Sequence, residues 1–207
     1  MRYVDLIDKT IEKIRGKGYD FNIDTENKNS RFEKCYDELN KTAGIAFSED
    51  IKDIYRKSSI SRIRWADSTE RVYGCFDLIP IEDILSLHND MVEAAESAAE
   101  YAVTEREKAN ISKLDIVNNM YPIFDFSSGD KLCIESSTGK IVFYDYSVNE
   151  LGDIDINGLV IAESYDELIE KWSSILFLEG FWWLTEYDRC VNSEGINLNN
   201  EYLKNFV

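Results

Sequence analysis

Carboxylates are the side chains through which this sequence could most readily do chemistry. The chain of 207 residues contains 40 Asp and Glu residues against 23 Lys and Arg residues. Two carboxyl groups held at a defined separation can act as general acid and base, as they do in glycoside hydrolysis. In so acidic a chain, neighbouring carboxylates also arise without a catalytic role, so acid pairs alone do not indicate an enzyme.

Nucleophilic catalysis would have to use the single histidine, His88, which falls in the middle of a predicted helix. A Ser-His-Asp or Cys-His arrangement needs a histidine beside its nucleophile, and no serine lies in a GxSxG turn. Neither GxxxxGK[ST] nor GxGxxG occurs, so phosphate and dinucleotide sites lack support. We therefore predict a protein with no catalytic residue and no cofactor. An enzyme that uses acid pairs is the weaker alternative.

Metal binding has one partial motif in the sequence. Residues 153–158, Asp-Ile-Asp-Ile-Asn-Gly, match the first half of a calcium-binding loop. Position twelve of such a loop is a bidentate Glu, but here it is Ser164, and Glu163 comes one residue early. Asn157-Gly158 is also typical of a hairpin turn, and the segment before it has the pattern of a strand and turn instead of a helix. We therefore predict that the protein binds no metal.

The cysteines and the N-terminal residues bear on the cellular compartment of the protein. Cys35, Cys75, Cys133 and Cys190 show no CxxC spacing, so we expect reduced, mostly buried thiols. The first residues contain no apolar signal segment, and no apolar run approaches the roughly 20 residues of a membrane span. We expect a cytoplasmic protein that does not bind membranes.

Charge is distributed unevenly along the chain. Residues 1–71 have a net charge of +1, whereas residues 72–207 have a net charge of −18. Between Asp77 and Glu100 there are seven acids and no Lys or Arg. This excess makes direct nucleic-acid binding improbable, because phosphates need basic surface. The acidic region is either a solvated surface or a docking face for a basic partner. A small basic island precedes it: Lys52, Arg56, Lys57, Arg62, Arg64 and Arg71.

Apolar periodicity predicts helices and strands in separate blocks. The predicted helices are 2–15, 31–42, 48–57, 81–110 and 164–178, and residues 19–30 are predicted to be a polar loop. Alternation is seen at 62–66, and the strands of the sheet are predicted near 71–78, 121–126, 131–136, 141–147 and 159–162. This order favours an α+β fold with a mainly antiparallel sheet of about five to six strands, packed with helices. The predicted core consists of Leu132, Ile134, Ile141, Phe143, Val160, Ile169 and Trp172.

Three segments in order resemble the SMI1/KNR4 superfamily, also called SUKH. Residues 121–146 match its central hairpin, an apolar strand, a Gly-Asp turn, a second strand, a Gly turn and a third strand. The turns of this hairpin are Gly129-Asp130 and Gly139-Lys140, and the other two segments are Gly74–Leu85 and Ser164–Trp172. The resemblance covers roughly residues 40–180. It implies a single SUKH-like domain over 1–207, with N-terminal helices at 1–44, a core at 45–190 and a long helical insertion near 86–110.

The resemblance also implies a function. Bacterial members are immunity proteins that bind and neutralise a cognate toxin domain, often a nuclease or deaminase, and fungal relatives are interaction scaffolds. We therefore predict a non-catalytic immunity protein with a basic protein toxin as its partner. A scaffold or regulatory interaction module is the alternative, and the oligomeric state is not indicated. Acids and an aromatic residue in or beside predicted turns are the expected contact residues: Asp67, Glu70, Asp145, Tyr146, Asp153 and Asp155.

Overall fold

The structure is a computed structural model that describes residues 2–25, 31–69, 71–101, 114–146, 157–180, 190–192 and 194–206. The helices in these ranges are α1 Arg2–Gly16, α2 Phe32–Ala43, α3 Glu49–Lys57, α4 Ile84–Tyr101 and α5 Tyr165–Ser174, with short 3-10 helices at Leu114–Asn119 and Leu203–Asn205. The strands are β1 Asp20–Thr25, β2 Ile60–Ala66, β3 Tyr73–Asp77, β4 Met120–Asp125, β5 Lys131–Glu135, β6 Ile141–Tyr144, β7 Val160–Ala162, β8 Val191–Asn192 and β9 Gly195–Ile196.

The strands form three antiparallel sheets, and the predicted α+β class is confirmed. The orders are β1-β2-β3, β4-β5-β6-β7 and β8-β9. Our prediction of one sheet with five to six strands is wrong, because β3 belongs to the three-stranded sheet. The residues that follow β3 make two backbone contacts with β4. Leu78 forms a bridge with Phe124, and Ile79 N donates a 3.1 Å hydrogen bond to Ile123 O. Pro80 follows directly and has no N–H to donate, so this pairing cannot continue.

Strand β1 lies inside the segment that we predicted to be a loop, so that prediction is wrong for residues 20–25. Its residues alternate between polar and apolar side chains, and Phe21 and Ile23 face Trp65 and Ile63 of β2. The segment contains many polar residues, so its period-two alternation did not indicate a strand. It forms one because it pairs with β2. Residues 26–30 of the predicted loop lie outside the described residues.

Two helix starts and one helix end lie at the capping residues in the sequence, whereas α4 begins later than predicted. The hydroxyl of Ser48 accepts a bond from Ile51 N, and that of Ser164 accepts one from Glu167 N, so both serines are N-caps. Gly44 closes α2 in the left-handed conformation at φ 70°. Helix α4 begins at Ile84, three residues later than predicted, and residues 102–110 lie outside the described residues.

Two predicted elements are shorter in the structure. Strand β6 ends at Tyr144 instead of residue 147. Helix α5 ends at Ser174 instead of 178, because Leu176 and Phe177 adopt left-handed φ values of 59° and 56°. Such φ values cannot be part of a right-handed helix, and no glycine in the sequence marks the change.

The four-stranded sheet is covered on both faces. Helix α5 packs on one face, where Trp172 contacts the rings of Phe76, Phe124 and Phe177 at centroid distances of 5.1–6.1 Å. Helix α4 covers the other face, where Met91 joins a smaller cluster. Six of the seven predicted core residues are buried, and Val160 is half-buried. In the described residues no helix is long and apolar enough to span a membrane. The domain limits stay a prediction.

Candidate partner-binding groove

The alternation in β2 gives the three-stranded sheet two different faces. Ile63 and Trp65 are buried on the inner face, so Arg62, Arg64 and Ala66 lie on the outer face. Their direct neighbours on β3 are, in the same order, Asp77, Cys75 and Tyr73. The outer face is therefore polar and charged at the Asp77 end and more apolar at the Tyr73 end.

An open groove of about 420 Å³ lies across this sheet and reaches the β4–β5 turn. Phe21, which is 40% exposed, pairs with Trp65, and the guanidinium of Arg15 lies 5.2 Å from its ring centre, so this ring lies on the Trp65 side of the sheet. The lining residues are Asp20, Phe21, Asn22, Arg64, Trp65, Ala66, Tyr73, Gly74, Cys75 and Ser127.

The floor of the groove depends on a close approach at Gly74. The indole Nε1 of Trp65 passes beside Gly74 and donates a 2.5 Å hydrogen bond to Leu176 O. A Cβ at position 74 would overlap this ring and would lie 2.7 Å from Phe177 O. Only glycine fits at this position without a shift of the indole or of the backbone at Phe177.

The segment after the two left-handed residues lies against β3, beside the groove. Leu178 pairs with Gly74 in an antiparallel bridge, and Glu179 N donates to Tyr73 O at 3.2 Å. Directly opposed residues in an antiparallel pair share a face, so the Glu179 side chain lies on the outer face with Tyr73.

Glu179 is a buried carboxylate with one oxygen in use. Its residue exposure is 1%, and its Oε1 accepts a 2.7 Å hydrogen bond from Ser127 Oγ. Its Oε2 is also buried and has no hydrogen-bond partner. Both Ser127 and Tyr73 line the groove, so Glu179 lies directly behind the groove wall.

Neither Cys75 nor Arg64 is arranged for catalysis. Burial raises the pKa of the Cys75 thiol to about 12; the Asp77 charge acts in the same direction, and the Arg64 guanidinium acts against it. The thiol is therefore protonated at neutral pH and is a poor nucleophile. Arg64 Nη2 lies 3.7 Å from Asp77 Oδ2, and the guanidinium also interacts with the Cys75 thiol, its neighbour on β3.

The predicted contact residue Asp67 lies in the β2–β3 loop, where it stabilises the loop. Its Oδ1 accepts bonds from the backbone N–H groups of Arg71 and Val72 at 3.0 and 3.2 Å, and its Oδ2 accepts one from Thr69 Oγ1 at 2.8 Å. The Thr69 bond is the main cause of the lowered pKa of Asp67. Its charge also contributes, after burial, to the raised pKa of Tyr19, whose ring stacks on Trp65.

Asp145 and Tyr146 lie together at the end of β6. Tyr146 is 56% exposed, its N–H donates to Asp130 Oδ1 at 2.9 Å, and its ring covers Gly129. Asp145 N donates to Asn157 Oδ1 at 2.8 Å. Tyr146 therefore packs on the same β4–β5 turn that contributes Ser127 to the groove. Three further predicted contact residues lie outside the described residues: Glu70, Asp153 and Asp155.

Helix α4 carries the acidic surface, whereas several cations of the basic island pair with carboxylates beside them. Four carboxylates on α4 are exposed and have no ion-pair partner among the described residues: Asp90, Glu93, Glu96 and Glu100. In the island, by contrast, Arg56 bonds to Glu33 at 2.7 Å, Lys57 to Asp53 at 2.6 Å and Arg62 to Asp77 at 2.6 Å.

The other residues considered for chemistry have structural surroundings. His88 Nδ1 lies 2.8 Å from Met120 O, and its ring stacks on Tyr121 at 4.1 Å, so the histidine joins α4 to β4. All four cysteines are free thiols, and Cys35 is the one that is not fully buried. Within the described ranges, no three His, Cys, Asp or Glu residues converge in a way that could hold a metal ion. The first four residues of the partial calcium motif lie outside these ranges.

Sequence patterns could locate only part of the groove. The alternation at 62–66 indicates that Arg64 and Ala66 share an outward face. The position of Glu179 depends on the left-handed residues Leu176 and Phe177, for which the sequence has no signal.

Together the fold and groove define a class, an α+β protein of antiparallel sheets with an open groove on the outer face of one sheet. Comparison with protein families identifies the family within this class. The SMI1 / KNR4 family (SUKH-1) matches residues 33–171, and the chain belongs to this family. The match includes β2, β3 and Ser127 and ends before Glu179. Neither the curated proteins nor the solved structures give a significant match.

Proposed function

We propose that this protein is an immunity protein that binds and neutralises a cognate toxin domain of the nuclease or deaminase type. The observation that carries this proposal is membership of the SMI1/KNR4 (SUKH-1) family, which is known in immunity-protein-like roles. The protein would act by direct contact in the cytoplasm, without catalysing a reaction.

The charge distribution supports a basic partner. The exposed carboxylates of α4 have no cation beside them within the described residues, so their field extends into solvent. A toxin that cuts or modifies nucleic acid needs a basic surface to hold phosphates. An acidic protein can cover such a surface, and complementary fields would speed their encounter.

The contact residues would come from α4 and from the turns around the groove. Tyr146 presents an exposed ring beside the β4–β5 turn, and aromatic side chains are enriched at protein interfaces. Asp67 has its carboxylate engaged within its own loop, so its proposed contribution is mainly through charge and loop shape. Asp145, Glu70, Asp153 and Asp155 remain proposed contacts.

Co-expression tests the proposal. The gene's neighbourhood is searched for a toxin, and the C-terminal domain of that toxin is produced in bacteria alone, with the wild-type protein, and with a Glu93→Lys/Glu96→Lys variant. We expect survival with the wild type and reduced survival with the variant, while a Glu201→Lys control remains protective. Cell death although both proteins are soluble would refute the proposal for that pair. Absence of a toxin gene nearby would favour the scaffold alternative.

A further inference from the structure

Strand β1 is an open edge of the three-stranded sheet, whose order is β1-β2-β3. The opposite edge is covered, because β3 bonds to the segment around Leu178 on the side away from β2. Within the described part of the chain, β1 pairs with β2 and with no other strand. An unpaired edge offers a row of backbone N–H and C=O groups to another chain.

The hydrogen-bond alternation identifies the backbone groups that β1 presents at this edge. Ser61 O accepts a 2.9 Å bond from Leu78 N, so the odd-numbered residues of β2 bond to β3. The even-numbered residues of β2 therefore bond to β1, where their direct neighbours are also even-numbered from residue 20 to residue 24. The backbone N–H and C=O groups of Phe21 and Ile23 consequently point away from the sheet.

The edge is regular, and its sequence has few of the features that prevent pairing. Natural edge strands are commonly protected by Pro, by Lys or by a bulge in the middle of the strand. Strand β1 contains neither Pro nor Lys, and its register with β2 is unbroken from Asp20 to Asp24, before a shift at Thr25. Residues 20–24 therefore form an edge with which five residues of another strand can pair.

The outer face of β1 favours basic side chains on such a strand. Asp20, Asn22 and Asp24 share this face, and β1 itself has no cation. Asp20 is exposed and has no ion-pair partner among the described residues, and the side chain of Asp24 is 46% exposed although it lies 3.3 Å from Arg62. These positions would form the closer, non-hydrogen-bonded pairs of an added antiparallel strand, where opposite charges stabilise the pairing.

The inner face favours apolar side chains. Ile23 is directly opposite the buried Ile63, so its side chain lies on the inner face. An open hollow of about 720 Å³ lies there between α1 and the sheet, with Ile11, Ile23 and Ile60 in its lining. Directly opposed residues share a face, so an apolar side chain opposite Ile23 on an added strand would lie beside this hollow.

We propose that β1 receives an extended segment of the protein partner as a fourth, antiparallel strand of this sheet. The segment has basic residues opposite Asp20 and Asp24 and apolar residues opposite Phe21 and Ile23. This inference rests on the proposed function for the identity of the partner. In strand addition the main chain supplies affinity and the alternating side chains supply selectivity. A second copy of this chain is a poorer occupant, because its own β1 would place two acidic strands without a cation side by side.

The first experiment uses the full chain and a peptide, so it does not depend on a toxin. The peptide Ac-Ser-Lys-Val-Thr-Val-Lys-Ser-NH2 has its two lysines at the spacing of Asp20 and Asp24, and it is titrated into the ¹⁵N-labelled protein. We expect millimolar binding that shifts the amide signals of β1 in NMR spectra. A peptide with Glu in place of both lysines should bind at least about tenfold more weakly, because it brings like charges together.

Hydrogen exchange tests whether the peptide pairs through its main chain. In the free protein the amide of Asn22 should be protected by its bond to β2, whereas the amides of Phe21 and Ile23 should exchange faster. The bound peptide should slow exchange at Phe21 and Ile23 and leave Asn22 unchanged. The same peptide with both valines N-methylated keeps its charges but lacks the N–H donors, so it should neither bind measurably nor protect these amides.

Variants of β1 separate the backbone from the side chains. Ile23→Pro removes an N–H that makes no bond to β2, a change that edge strands tolerate, and should weaken peptide binding at least about tenfold relative to Ile23→Ala, which keeps this N–H. Asp20→Lys should weaken binding at least about threefold. Asp37→Lys makes the same charge reversal at an exposed position of α2 and should bind as the wild type does.

Each arm has an outcome that overturns the proposal. These outcomes are no binding of the lysine peptide, equal binding of the lysine and Glu peptides, and a bound peptide that leaves exchange at Ile23 unchanged. If Ile23→Pro does not fold, Asp20→Lys decides, because wild-type binding by this variant would overturn the proposal. A protein that binds the peptide as described but does not protect against the toxin contradicts the proposed function alone. Full protection by a folded Ile23→Pro variant contradicts this inference alone.

Discussion

The hydroxyl of Ser127 donates a 2.7 Å hydrogen bond to Glu179, and this bond joins the two main sheets at the groove. Ser127 belongs to the turn after β4, whereas Glu179 extends the edge of β3 through its bond to Tyr73 O. The sheets otherwise meet through the Leu78–Phe124 bridge, farther along β3 and β4. The groove is therefore closed at one end by a polar contact between segments that are distant in sequence.

Trp172 should be the most costly core residue to truncate. Its side chain is fully buried against four phenylalanines, and its Nε1 donates a 2.8 Å bond to Leu178 O. We expect Trp172→Ala to lower the free energy of unfolding by about 3–5 kcal/mol in denaturant titrations. Trp172→Phe keeps most of the ring and should lose much less. An unchanged denaturation midpoint for Trp172→Ala would contradict this packing.

Gly74 should tolerate no side chain. An added methyl group would meet the Trp65 indole and Phe177 O, so we expect Gly74→Ala to lower the free energy of unfolding by about 1–3 kcal/mol. Gly16→Ala is the matched control, because nothing lies within 4 Å of a Cβ at that position. Thermal and denaturant unfolding of both variants provide the measurement. Equal stability of the two variants would mean that the floor of the groove is not built as described.

Asp67 should make stability depend on pH in the acidic range. Its pKa in the folded protein is lowered, chiefly by the bond from Thr69. The charged form is thus favoured by folding. Its stabilisation is present above the unfolded value of about 3.9 and is lost as pH falls through the folded pKa. We expect Asp67→Asn to be less stable than the wild type at neutral pH and to converge with it in acid.

Unfolding curves of Asp67→Asn and the wild type between neutral and strongly acidic pH measure this effect. Thr69→Ala should show part of the stability loss of Asp67→Asn at neutral pH, because Thr69 donates the shortest hydrogen bond to Asp67. A stability difference that stays constant across the whole range would show that the carboxylate charge of Asp67 does not support its loop.

The dependence of the binding rates on salt concentration should distinguish long-range electrostatic attraction from short-range contacts with the partner. If α4 faces a basic toxin, the association rate constant should fall at least about tenfold between low and high salt, while the dissociation rate changes less. Glu93→Lys/Glu96→Lys should associate more slowly and with a weaker salt dependence. Stopped-flow or surface-binding kinetics measure both rates. An association rate independent of salt would contradict a role for this helix.

Much of the fold could be predicted because its signals are local. Ser48 and Ser164 precede acidic first turns, and Gly44 follows an apolar stripe, so these helix ends follow from capping rules. Strands β4 to β6 have turn residues between apolar runs, and the resemblance to the SUKH family depends on the same residues. Family membership is thus the part of the functional interpretation that the comparison with families confirms.

The features that the sequence could not predict depend on contacts between distant segments. Strand β1 becomes a strand through pairing with β2, and β3 leaves the predicted sheet because the chain turns at Pro80. The unpartnered oxygen of Glu179 follows from two left-handed residues that have no glycine signal. We predicted Asp67 as a contact residue because it lies beside a turn. In the structure its carboxylate accepts hydrogen bonds from its own loop, which the sequence did not indicate.

The most direct test of the central claim is titration of toxin activity with the purified protein. A toxin domain found encoded beside this gene is to be assayed on its own substrate while this protein is added in increasing amounts. Our account predicts that activity falls linearly and is abolished at one molecule of this protein per toxin, with no recovery over time. Full toxin activity in the presence of excess folded protein would contradict it.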